Sequence, residues 1–269
     1  MSEVPSCRAV ADAVAEIEEF GSTVLRNAWR REDLDVILSA ITRFTAHRAE
    51  RIASGRAPPH EKMMHTHGAG GFADLVAEGF LDASILAKMF VGSPYHDLCR
   101  EYFDDDEFYV QPTRLLFRNH DPQTSDRSFV PYHQDSGSQD PRVQRILNCW
   151  IPLDPGAGSE APGLEVVRSP GAPKFPIKDF GLKTENAVYD FITIDRDRIV
   201  EEYGSDQFLA PRFEVGDGFA FSQDVIHRTY VAPDMTRPRR NFEFRVFSPK
   251  HVAPGAARNA VLQNALRVA

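Results

Sequence analysis

The sequence predicts a mainly β protein with flanking α-helices, and two observations carry that expectation. Through much of the first hundred residues apolar side chains recur at three- and four-residue steps, the spacing of one buried helix face. From Phe108 onward the texture changes to short segments rich in β-branched and aromatic residues, separated by Gly, Pro, Asp and Ser. Seven or eight such strands with helices in front suggest a β-sandwich or jelly roll decorated by helices. No internal repeat or low-complexity tract breaks the pattern. A length of 269 residues suits a single domain over 1–269, with helical support in 1–107, a β core in 108–250 and a C-terminal tail in 251–269.

Each element follows from its own stretch. In REDLDVILSAITRFTAHRAERIA (31–53), Leu34, Ile37, Leu38, Ile41 and Phe44 mark the buried face of one helix. SGRAPPHEKMMHTHGAGG (54–71), rich in Gly, Pro and His, reads as a loop. A second helical stretch runs from about Ala73 to Phe103, divided at VGSP. DDDE (104–107) reads as a solvated helix-to-strand junction, because it lacks the spaced oxygens of a calcium loop. The strands are then FYVQPTRLLFR, RILNCWIPL, GLEVV, PRFEV, DGFAFS, DVIHRTYV and RNFEFRVFS. Between GLEVV and PRFEV, residues 171–207 read as an insertion, a common place for a substrate lid.

Composition narrows the class. A net charge of −8 argues against nucleic acid or an anionic membrane as partner, and the one dense basic cluster, RPRR (237–240), suits a single small anion. Cys7, Cys99 and Cys149 stand at wide, unrelated spacings, which is neither a disulfide framework nor a zinc pattern. The acidic N-terminal segment lacks a basic region followed by an apolar run, and no apolar run approaches membrane-spanning length, so a cytoplasmic protein without a membrane partner is expected. Nothing in the sequence fixes the oligomeric state.

The chemistry concentrates in VPYHQDSG (130–137). Side chains two apart on a strand share a face, so His133 and Asp135 are expected to offer an imidazole and a carboxylate to one ion. With 9 His in the chain, a His-X-Asp triplet arises readily by chance, and context must decide. FEVGDGFAFSQDVIHRTYV supplies a third ligand, His227, 92 residues after Asp135 in an apolar strand. Two histidines and one carboxylate on one face of an ion suit oxygen-activating Fe(II). Arg237, Arg239 and Arg240 follow, just before the last strand, where an arginine fork can clamp a carboxylate. His65 and His67 in the Gly-rich stretch read as solvent-facing, and His120 as a turn residue near the pocket. Arg114, Arg118, Arg142 and Arg145 flank the expected mouth as substrate-anion candidates, with surface solvation the default for each.

This ordered set resembles the Fe(II)/2-oxoglutarate-dependent oxygenases, and its details resemble the phytanoyl-CoA dioxygenase family. Gln134 fills the middle of the triplet as in that family. NCWIPLD (148–154), APGLEVVRSPGAP (161–173, lacking the family's terminal GSH), EEFGSTVLRNAW (18–29) and RPRRNFEFR (237–245) resemble its other segments, over roughly residues 15–250. The resemblance implies a double-stranded β-helix (cupin-like jelly roll) with N-terminal helices packed on it. It implies Fe(II) on His133, Asp135 and His227, and 2-oxoglutarate held through its distal carboxylate by Arg239, with Arg240 the alternative. Lys62, Thr113 and Trp150 match further positions near the cosubstrate. With O2, the implied reaction hydroxylates, desaturates or cyclises a small-molecule substrate and releases succinate and CO2. Asp135 favours oxygen transfer over halogenation, since halogenases of this class carry a small residue there. The competing expectation is a cupin-like barrel that binds metal or ligand without 2-oxoglutarate oxidation: a sensor, an isomerase or an inactive relative.

Overall fold

The helical half forms largely where its apolar periodicity lies. In the computed structural model, which describes residues 7–111, 115–123, 129–137, 142–168, 193–253, 261–262 and 265–269, α1 spans Cys7–Phe20 and α2 spans Arg31–Ala53. Leu34, Ile37, Ile41 and Phe44 of α2 are buried. The region 73–103 divides into α4 (Phe72–Ala77), α5 (Ile85–Phe90) and α6 (Pro94–Phe103). Pro94 opens α6 at a position whose N–H would be unpaired in any helix, and the Ser93 hydroxyl caps it by accepting from the His96 N–H. The segment expected to be a loop instead contains α3 (Pro59–Thr66) and the short strand β2 (Ala69–Gly71). Its prolines start a helix rather than prevent one: Pro58 is extended and Pro59 takes the first helical turn.

The β half builds two sheets. The larger holds β1 (Ser22–Leu25), β8 (Gly218–Ser222), β5 (Leu147–Pro152), β10 (Arg239–Phe247), β3 (Tyr109–Val110) and β11 (Leu266–Arg267) in that order. In it β4 (Leu116–His120) also pairs with β10, and β2 pairs with β4. The smaller is ordered β7 (Phe208–Leu209), β6 (Gly163–Val167), β9 (His227–Tyr230). All pairings between these strands are antiparallel. This is the expected jelly roll with helices flanking the core. The stretch PRFEV forms no regular strand; Phe213 makes only an isolated bridge to Ala157. Among the described residues, no helix is long and apolar enough to cross a membrane.

Strand alternation divides the interior into two compartments. Leu147, Cys149 and Ile151 of β5, Ala220 of β8, and Phe242, Phe244 and Val246 of β10 join the helices in one large core. The opposite parity, Trp150 of β5 and Phe219 and Phe221 of β8, packs with Leu164 and Val166 of β6 in a second cluster between the sheets. Both faces of β10 are therefore covered, which is why a strand carrying three arginines lies mostly out of solvent. Most of the insertion 171–207 lies outside the described residues. Its end forms α7 (Arg196–Tyr203), anchored by Ile199 in a cluster with Tyr132, Val167 and Ile226.

Candidate metal centre and anion pocket

His133, Asp135 and His227 converge, with one potential ligand atom from each lying within 4.8 Å of the other two. All three are buried. His227 stands on β9, and an isolated antiparallel bridge fixes His133 beside it, each N–H donating to the other's carbonyl at 3.0 Å. The ring centroids are 4.1 Å apart. The triplet is not a continuous strand: Asp135 is the first residue of a 3-10 turn, Asp135–Gly137. The two side chains still converge, Nε2 of His133 lying 3.6 Å from Oδ1 of Asp135.

The imidazoles are oriented for a cation. Nδ1 of His133 lies 2.8 Å from the Pro131 carbonyl and Nδ1 of His227 lies 3.0 Å from the Val225 carbonyl. A carbonyl only accepts, so each Nδ1 carries the hydrogen and each Nε2 keeps its lone pair for a metal. Burial, and then the neighbouring His133, push the His227 pKa down to about 4, which favours the neutral ligand form. For Asp135, burial pushes upward, but the Arg245 guanidinium and the two imidazoles outweigh it, and its pKa lies well below the ordinary carboxylate range.

Arg239 and Arg240 take opposite faces of β10. Arg239 is 0% exposed. Its Nε donates to the Pro162 carbonyl at 2.7 Å, its Nη1 donates to Oδ1 of Asn241, and its guanidinium sits 4.9 Å from the Trp150 ring centroid. These neighbours are uncharged, and its Nη2 is buried with no hydrogen-bond partner. Burial pushes its pKa down to about 9. Arg240 instead points away from the cavity. It grips Asp154 through Nε at 2.9 Å and Nη2 at 2.6 Å, and reaches Thr42 of α2.

A small cavity connects these groups, lined by His133, His227, Trp150, Arg239, His120 and Thr229 among others. His120, read as a turn residue, ends β4 directly opposite Arg239. It is buried, its Nδ1 has no partner, and burial followed by Arg239 and Arg118 holds its pKa well below the ordinary value. Arg118 also lines the cavity but donates to Glu243 at 3.2 Å. Lys62 is exposed on α3 and does not line the cavity, and Thr113 and Arg114 lie outside the described residues. Arg145 stacks over Tyr102 of α6, Arg142 is exposed, and Arg237 pairs with Glu160 at the surface. His65 and His67 close α3 and join no metal-type group among the described residues. Sequence reasoning missed Arg245 altogether; the signal was one more arginine on the Arg239 parity of an aromatic strand.

No protein-family profile matches the chain, and no curated protein matches it. Solved structures share its fold. EctD from S. alaskensis, determined with 2-oxoglutarate and 5-hydroxyectoine, superimposes with a TM-score of 0.60 at 14% identity, covering 92% of this chain and 86% of that one. The epimerase SnoN, in complex with Fe3+, alpha ketoglutarate and nogalamycin RO, gives 0.58 at 13% identity, covering 93% and 88%. The non-heme monooxygenase ThoJ gives 0.56 at 15% identity, covering 91% and 80%. The architecture thus occurs in non-heme iron oxygenases and in an epimerase.

Proposed function

We propose that this chain is a non-heme Fe(II)/2-oxoglutarate-dependent oxygenase that hydroxylates, desaturates or cyclises a small molecule. The observation that carries the reading is the pairing of two features in one cavity: a His133/Asp135/His227 centre and a buried guanidinium, Arg239, that no carboxylate of a described residue meets within ion-pair distance. A buried cation without a paired anion is costly, and a dicarboxylate held between the metal centre and Arg239 would relieve that cost. The solved structures of the same fold that carry iron and 2-oxoglutarate support the same choice of cosubstrate.

The donor set fits the ion: two imidazole Nε2 atoms and one carboxylate are the set that leaves Fe(II) coordination positions for exchangeable ligands. Once bound, iron and 2-oxoglutarate supply the activation of O2, with succinate and CO2 as coproducts. The chain's own residues do the rest. His133, Asp135 and His227 hold the ion. Arg239 would donate to the distal carboxylate through Nη2, with His120 and Thr229 lining the same cavity and the Trp150 ring against its guanidinium. Leu164 and Val166, packed with Trp150, keep water from the reacting centre. The carboxylate at Asp135 favours hydroxylation, or a related desaturation or cyclisation, over halogenation. The motif likenesses around HQD and RPRR support the phytanoyl-CoA dioxygenase type. The test is anaerobic titration of Fe(II) and then 2-oxoglutarate, followed by visible absorption. A charge-transfer band appearing only with both, and lost in His133→Ala and His227→Ala, is the expected result. Iron uptake with no band on adding 2-oxoglutarate would leave a metal-binding barrel and refute the oxygenase.

A further inference from the structure

The three side chains of the metal centre are not equally well founded. His227 stands on a strand and His133 on a paired bridge, but Asp135 stands on a 3-10 turn. Among the described residues, the backbone bond tying that turn to the neighbouring chain is from the Ser136 N–H to the Gln223 carbonyl at 2.9 Å. A carboxylate on such a turn needs its orientation supplied by a side chain.

Arg245 supplies it. It lies on β10 with the parity of Arg239, Asn241 and Glu243, is 9% exposed, and meets Asp135 from 110 residues away. The contact is asymmetric. Oδ2 accepts from Nε at 3.2 Å and from Nη2 at 3.0 Å, whereas Oδ1 accepts from Nη2 alone at 3.0 Å. Oδ1 is also the oxygen 3.6 Å from Nε2 of His133. The fork therefore engages Oδ2 twice and leaves Oδ1 facing the two imidazoles.

We propose that Arg245 is a positioning residue for the metal carboxylate: it presents Oδ1 to the ion and withholds Oδ2, so that Asp135 binds through one oxygen. This rests on the metal centre proposed above. A lysine would keep the charge but, as a single point donor, would not hold two ends of a carboxylate. The discriminating variant is thus Arg245→Lys, with Arg245→Gln as a second in case either folds poorly.

The test is titration of the metal-free chain with Co(II), reading the visible d–d bands and the affinity, with thermal unfolding as the check on folding. Partners behind metal ligands typically contribute 10–100-fold to affinity. Arg245→Lys is expected to bind Co(II) about 10–100-fold more weakly. Its d–d bands are expected to weaken as the second carboxylate oxygen joins the ion, while the melting temperature stays close to wild type. Wild-type affinity and an unchanged spectrum in Arg245→Lys would overturn the proposal. A wild-type chain that takes up no Co(II), or whose uptake survives His227→Ala, would overturn the metal centre and this inference with it. Arg245→Lys failing alone, with wild type and His227→Ala behaving as expected, refutes only the positioning role.

Discussion

Replacing Arg239 by Met separates a structural arginine from a ligand-binding one. A guanidinium keeps its proton in proteins, so the push on Arg239 from its ordinary value down to about 9 registers as free energy stored in the fold. At 1.36 kcal/mol per unit, that is about 5 kcal/mol of unfavourable burial. Methionine retains much of the apolar stem beside Trp150 and removes the charge. Against the gain, the Pro162 carbonyl and Oδ1 of Asn241 lose their donor, at about 1–3 kcal/mol for a buried acceptor left unpaired. The balance predicts a ligand-free variant between about 1 kcal/mol less and about 3 kcal/mol more stable than wild type, with a melting temperature from roughly 3 °C lower to roughly 9 °C higher. Calorimetric titration of 2-oxoglutarate in the presence of Mn(II) should show affinity lower by at least about 30-fold, the lower end for removing one partner of a buried charge pair. A ligand-free Arg239→Met that melts many degrees below wild type would refute the reasoning, because the guanidinium would then be a tie within the fold rather than a receptor awaiting its anion.

Arg240→Ala gives the converse. Its pair with Asp154 is partly exposed, so the loss should be about 1 kcal/mol of stability, with 2-oxoglutarate affinity unchanged; weakened binding there would reverse the assignment of the two arginines. The metal-free protein should also lose stability on acidification. His227 is pushed from 6.5 to about 4, so between those values the unfolded chain holds a proton that the folded chain refuses. Stability then falls as pH drops through that window, by about 3 kcal/mol at its lower end. Asp135, whose folded pKa lies below the window, adds its own loss only at more acid pH. Denaturant melts of wild type and His227→Gln at pH 7 and pH 4.5 check this, and equal slopes with pH in the two proteins would sink it.

How much was legible depended on whether a residue's role was set by neighbours in sequence or in space. The Leu34–Phe44 periodicity located α2 because a helix face is a local pattern. His133, Asp135 and His227 were legible as a set because their residue types, order and spacing narrow the possible chemistry. The choice between Arg239 and Arg240 was not. Alternation separates the two faces of β10, yet both faces are buried, so neither apolar parity nor burial says which one holds the site. Lys62 was matched by its place in the chain, but α3, hidden behind two prolines and a run of histidines, leaves it exposed. Strands as short as β2, β7 and β11 exist only because a partner pairs with them, and that partner is not visible in the local sequence.

Charge accounting links the fold to the chemistry more firmly than any single motif. Four arginines line the cavity: Arg118, Arg228, Arg239 and Arg245. Arg118 has Glu243, Arg228 has Glu165, and Arg245 has Asp135. Of these four, Arg239 alone is met by no carboxylate of a described residue within ion-pair distance; its hydrogen bonds go to a carbonyl and an amide, and Glu243 acts on it only through space. A central strand that needed only to pack would gain by replacing such a residue with an apolar one. Its place opposite His120, lining the same cavity as the metal centre, suits the distal carboxylate of the proposed cosubstrate and would offset part of the burial cost that its bonds to Pro162 and Asn241 leave.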